Sequence, residues 1–150
     1  MEEESKECWW ELIYILTDEL NSQNIAYCYD ASTSLFVNGI DFEMNDIDVI
    51  VQWDCFEKSF EYFKKYGAYL IEDTEINEYK FKINSYIIHV KSKKSISNIE
   101  QMKDKLKIER DGYILWSRDP RVYREKITLD HPLADLIDVF FERNSKNELS

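Results

Sequence analysis

Apolar residues recur at helical spacing in some stretches of the chain and alternate in others, which divides it into short elements. Trp9, Leu12, Ile13, Leu16 and Leu20 return every three or four residues, with Glu11, Asp18 and Glu19 on the other side, and predict an amphipathic helix over 8–20. After a polar break at 21–24, the segment 25–29 reads as a short buried strand, and 31–37 as a short helix stopped by Asn38 and Gly39. A polar loop over 41–45 leads into Ile47, Asp48, Val49, Ile50 and Val51, whose β-branched density marks a second strand. Phe56, Phe60 and Phe63 predict a helix ending near Gly67, and 68–71 a third strand.

Tyr79, Phe81 and Ile83 alternate with Lys80 and Lys82, and the polar pair Asn84 and Ser85 separates them from the apolar run 86–90. Together they predict a hairpin at which the sheet turns partly antiparallel. Ile96, Ile99, Met102 and Leu106 predict a helix over 95–108, and 113–116 another strand. Pro132 suits a first helical turn, and Leu133, Leu136, Ile137, Phe140 and Phe141 predict a closing amphipathic helix. The expected fold is α/β (α+β), a single domain with a mixed sheet and flanking helices. A leading helix occupies 1–24, a core sheet 25–92, and C-terminal helices and a strand 93–150. The chain carries no internal repeat and no interdomain linker.

Composition leaves this picture intact: 150 residues, 44% of them hydrophobic, with three Gly and two Pro, suffice for one core without disulfides. Charge changes it more. Thirty acidic against nineteen basic side chains give a net charge of -11, which disfavours nonspecific binding to phosphate backbones. A nucleic-acid partner would need a local basic strip. Candidates are Lys91, Lys93 and Lys94, then Lys103, Lys105, Lys107 and Arg110, and a further group at Arg118, Arg121, Arg124 and Lys126, all of which also suit an ordinary solvated surface. Cys8, Cys28 and Cys55 are widely spaced and odd in number, so reduced thiols are expected rather than a disulfide framework or a zinc site. The acidic start and the lack of a long apolar run predict a cytoplasmic protein without membrane contact. Four Trp and ten Tyr are read as core.

Two pieces carry candidate chemistry. The first is the small-residue turn Ala31-Ser32-Thr33-Ser34 between a strand and a helix; the second is Asp46-Ile47-Asp48 entering the next strand. Residues two apart on a strand share a face, so the two carboxylates stand side by side and call for a cation. Mg²⁺ accepts such a pair while substrate phosphates complete its coordination. The turn supplies the complement: backbone N–H groups at a helix start, with the hydroxyls of Ser32 and Thr33, suit phosphate oxygens.

This order of strand, small-residue turn, helix, loop and Asp-x-Asp strand over 25–51 resembles the minimal nucleotidyltransferases of the DNA polymerase β-like superfamily. The resemblance implies transfer of a nucleoside monophosphate from Mg-NTP to an acceptor hydroxyl with release of pyrophosphate. It implies Asp46 and Asp48 on Mg²⁺ and in catalysis, and Ser32 and Thr33 on the phosphates of the NTP. The acceptor would be a protein hydroxyl, an RNA end or a small alcohol. Two departures stand out. Ala31 occupies the place of the usual Gly, preceded by Asp30, which would face a triphosphate unless it caps the helix. The later strand expected to bring a third acid reads Tyr86-Ile87-Ile88-His89-Val90. His89 is then the candidate general base, or a polar residue of an edge strand, with Glu72, Asp73 and Glu78 as alternative sources of the missing carboxylate. His131, before Pro132, is read as local. A catalytically degenerate nucleotidyltransferase-fold protein, acting as a binding or regulatory partner of another protein, is the alternative function.

Overall fold

In the computed structural model, which describes residues 1–71 and 76–149, the chain opens with α1 (Glu3–Ser22), longer than its apolar stripe because Glu3 and Glu4 suit a helix N-terminus. Next come β1 (Tyr27–Tyr29), α2 (Ala31–Val37), β2 (Ile47–Val51), α3 (Phe56–Phe63), β3 (Tyr69–Leu70), and the hairpin β4 (Asn77–Ile83) and β5 (Tyr86–Ser92). The chain closes with β6 (Lys105–Arg110), β7 (Tyr113–Arg118), α4 (Pro120–Lys126) and α5 (Ala134–Leu149). Among the described residues no helix is long and apolar enough to cross a membrane. All three cysteines are free; Cys28 is buried, and burial pushes its thiol up to about 12.

The expected mixed α/β domain is present as one seven-stranded sheet, ordered β3-β4-β5-β2-β1-β7-β6. The central strand β2 pairs antiparallel with β1 and parallel with β5, and β1 pairs parallel with β7. One face of the sheet packs under the helices: Leu12, Ile13, Leu16 and Leu20 of α1 meet Val49, Val51, Tyr79, Phe81, Ile88 and Val90. On the opposite face Ile50 and Cys28 lie in a small second cluster under Ile99, whose segment crosses the sheet there. Both faces of β2 are thus covered, which is why all five of its residues are buried.

Two elements differ from the pattern. The expected helix over 95–108 is absent. Only Ile99–Gln101 makes a single 3-10 turn, and Lys105–Arg110 is instead a strand paired antiparallel with β7. Ile96, Ile99 and Met102 do face inward together, but they cap the second cluster rather than line a helix, and the apolar spacing of a short run does not separate the two cases. The second difference is α4, which begins at Pro120 with the Asp119 carboxylate accepting from the Arg121 N–H. An Asp-Pro start is a helix signal that the sparse apolar residues of 120–126 obscured. The closing helix starts at Ala134, two residues beyond Pro132, and the His131 ring accepts from the Leu133 N–H as a local cap.

Candidate active site

The acid pair lies where the central strand begins. Asp48 is the second residue of β2, in register with Tyr29's neighbour at the end of β1, and the Asp30 N–H donates to the Asp48 carbonyl at 3.0 Å. The turn that follows β1 is tied to the same residue a second time: the Asp48 N–H donates to Thr33 Oγ1 at 2.8 Å. Thr33 is fully buried, so its hydroxyl anchors the turn to β2 from beneath. Ser34, also buried, donates to the Ala31 carbonyl. Ser32 is half-buried, and its hydroxyl has no hydrogen-bond partner among the described residues.

Ala31 adopts φ +49°, inside the left-handed region. For a residue with a Cβ this costs about 1–2 kcal/mol, and only the surrounding structure holds it there. The turn therefore keeps the backbone shape for which glycine is the ordinary residue, without the glycine. Asp30 does not cap α2: its side chain makes no capping bond and instead lies 3.6 Å from Arg118 at the end of β7. Arg118 in turn donates through Nε and Nη2 to Asp104. The Arg118 charge thus holds Asp30 in a single ion pair beside β7 rather than on the α2 amides.

Asp46 precedes β2 and is half-buried; Asp48 is 8% exposed. Burial first, and the neighbouring Asp48 charge second, raise the Asp46 carboxyl above its ordinary range. The same two influences, burial and then the Asp48 charge, raise the Tyr123 phenol, which places α4 beside the pair. Tyr123 is not among the expected site residues, because the helix that carries it is signalled in the sequence only by its Asp119-Pro120 start.

His89 is the cross-strand neighbour of Asp48 on the parallel strand β5. Its Nδ1 lies 3.3 Å from Asp48 Oδ1 and its Nε2 3.3 Å from Glu78 Oε1, the latter without hydrogen-bond alignment, so that Nε2 is a buried nitrogen with no partner. Among the described residues the alternative acid Glu78 reaches the site, since alternation along β4 puts it on the His89 side of the sheet while Tyr79 goes to the core. Glu72 and Asp73 lie outside the described residues. The site is thus Asp46, Asp48, His89 and Glu78 in a row across three strands, with Ser32 at the turn beside it. Among the described residues no group of three or more His, Cys, Asp or Glu is arranged to hold a metal ion. A pair of carboxylates nonetheless suits Mg²⁺, which needs only one or two from protein when a nucleotide supplies the rest.

No family model matches this chain, and no curated protein sequence matches it. Solved structures do. A nucleotidyltransferase candidate from Thermotoga maritima superposes with a TM-score of 0.60 at 14% identity, covering 93% of each chain. ANT(2″)-Ia, solved in complex with adenylyl-2″-tobramycin, gives 0.61 at 11% identity over 93% of this chain and 92% of that one. The solution structure of the antibiotic-resistance factor ANT(2″)-Ia gives 0.61 at 11% identity, covering 95% and 96%. The chain has the nucleotidyltransferase fold, at nearly its full length.

Proposed function

We propose that this chain binds Mg-NTP at the turn after β1 and the Asp46/Asp48 pair, and transfers the nucleoside monophosphate to an acceptor hydroxyl. The observation that carries the reading is the coincidence of two costs at one place: a strained Ala31 turn tied through Asp48 and Thr33 to β2, and two mutually repelling carboxylates beside it. Strain and like-charge crowding persist where a ligand uses them. ANT(2″)-Ia, seen with an adenylylated tobramycin, supplies the analogous chemistry at the level of fold.

In this reading Asp46 and Asp48 hold Mg²⁺, which supplies charge neutralisation at the transferring phosphorus. Ser32 donates to the phosphates of the leaving pyrophosphate, with the backbone of the turn behind it. Thr33 acts from below, fixing the turn against β2. His89 takes the proton of the acceptor hydroxyl, and the Asp48 and Glu78 carboxylates, each 3.3 Å from a ring nitrogen, steady the imidazolium charge that results. The acceptor oxygen then bonds to the α-phosphorus as the bond to pyrophosphate breaks.

A second reading rests on the His89 to Asp48 contact: the ring stands 3.3 Å from the carboxylate, where a third acid for a metal is expected, and the fold then serves as a binding or regulatory partner of another protein without turnover. Calorimetric titration of Mg-ATP, Mg-CTP, Mg-GTP and Mg-UTP, repeated with Asp46→Asn and Asp48→Asn, tests both. Wild type is expected to bind at least one nucleotide in a Mg²⁺-dependent way, with the affinity lost in either variant. No binding, or binding untouched by both substitutions, sinks the metal-site reading. Radiolabelled transfer to RNA, protein and small alcohols then separates turnover from binding alone.

A further inference from the structure

The basic runs that are scattered in the sequence meet beside the acid pair. Lys91 is on β5, Lys93 just beyond its end, Arg118 at the end of β7 and Lys126 at the end of α4. Lys126 is an exposed residue, yet partial desolvation of its amine, together with the like charges of Lys93, Arg118 and Lys91 and against the attraction of Asp30, holds it below the ordinary lysine range. Lys91 follows His89 on the same face of β5, and Lys80 stands directly across from His89 on β4, so both lie next to the histidine that touches Asp48. Lys91 belongs to both groups, so the cations form one strip past the acids. Among the described residues none of Lys80, Lys91, Lys93 and Lys126 has a carboxylate within ion-pair distance, although acidic side chains outnumber basic ones by thirty to nineteen over the chain.

The strip divides by position. Arg118 and Lys126 flank Asp30 at the turn, where the nucleotide phosphates sit in the reading above. Lys80 is the direct cross-strand partner of His89, the group that receives the acceptor's proton, and Lys82 follows it on the same side of β4, exposed. Glu78, across from Lys91 on that face, is buried against His89, so the accessible side chains of the hairpin face that meets the acceptor are the lysines, whereas a polyamine acceptor would call for carboxylates.

We propose that the acceptor itself carries phosphate: a ribose hydroxyl with a phosphate close by, from a single-stranded RNA end or a free nucleotide, held by Lys80, Lys82 and Lys91. This rests on the nucleotide-transfer reading for the place of the acceptor. The test is binding of a labelled single-stranded RNA of roughly eight nucleotides to the full chain, followed by fluorescence anisotropy, with AMP as competitor. Lys80→Gln/Lys91→Gln is compared with Lys58→Gln on the exposed side of α3, all checked by circular dichroism. The expected result is RNA binding that weakens about tenfold or more in the double variant and is unchanged in Lys58→Gln. The slope of log affinity against log salt should fall by about 0.7 per lysine removed. Displacement of the RNA by AMP at comparable concentration points to a mononucleotide acceptor, and its failure to displace points to an RNA end. Mg-ATP affinity, measured by calorimetry, should change far less than RNA affinity in the double variant. Wild-type protein that binds Mg-ATP but neither RNA nor AMP overturns the acceptor proposal alone, as does equal RNA binding by the double variant. A loss of Mg-ATP affinity in the folded double variant as large as the loss of RNA affinity also overturns it, by assigning these lysines to the nucleotide. If wild type binds RNA through the strip but no Mg-ATP, the transfer reading fails and the cationic site stands.

Discussion

Ala31 is the residue at which local energetics and site chemistry oppose one another. Its left-handed backbone is unfavourable for alanine and neutral for glycine, while glycine adds entropy to the unfolded chain. The relief of about 1–2 kcal/mol exceeds that loss of about 0.5–1 kcal/mol, so Ala31→Gly is expected to raise the urea midpoint at unchanged slope. A lower midpoint would show that the methyl group makes a contact outweighing the strain. Asp46 gives the complementary case. Burial and the Asp48 charge raise its folded-state carboxyl above the unfolded value, so its ionisation works against folding once the pH exceeds the raised value, and the penalty disappears as the pH falls through it. Asp46→Asn should therefore stabilise the nucleotide-free protein at neutral pH, with the gain shrinking toward acid pH, while it removes Mg-NTP binding. Thermal denaturation across pH checks the first half, and a stability difference that grows toward acid pH would contradict it.

At the scale of elements, the β4–β5 hairpin carries Lys80, Glu78 and His89 on one face and Tyr79, Phe81, Ile88 and Val90 in the core on the other. Its two-residue turn has both Asn84 and Ser85 at positive φ, 50° and 71°. That is the backbone of a tight hairpin turn for which Asn-Gly is the best pair. Ser85→Gly is expected to stabilise the protein by about 0.5–1 kcal/mol, read from denaturant unfolding, and a loss of stability would mean that the hydroxyl holds the turn. The register of this hairpin is legible in the sequence, because its lysines alternate strictly with aromatic and aliphatic residues. That Glu78 shares a side with His89 follows from the same alternation. That it reaches the imidazole does not, since diagonal neighbours on adjacent strands meet only when the sheet twist brings them together.

Across the whole molecule, acids exceed bases by eleven, and α1 alone carries Glu3, Glu4, Glu7, Glu11, Asp18 and Glu19. Self-repulsion of this excess weakens the folded state at low ionic strength, and screening relieves it. Raising salt from roughly 0.02 M to 0.2 M should therefore raise the midpoint of thermal unfolding, even as it weakens RNA binding to the lysine strip. A flat or falling midpoint would indicate that paired charges, such as Arg110 with Glu7 and Lys65 with Glu19, already balance the excess.

The sequence by itself determined the elements whose signals are local: α1 from its apolar stripe, α2 between Asp30 and Asn38, β2 from its β-branched run, the hairpin from alternation, and the place of Asp46 and Asp48 at the start of a strand. Each depends on neighbours a few residues apart, which periodicity reads directly. The tertiary structure alone decided what depends on residues far apart in the chain. It turned 105–110 into a strand, because β7 offered a ladder partner that outweighed a weak helical spacing. It moved Asp30 to Arg118 rather than to the helix amides, set Glu78 against His89, brought Tyr123 to the acid pair on an unforeseen helix, and gathered lysines from separate runs into one strip. Charge acts through space over several ångströms, and its arrangement is settled only when the sheet order is.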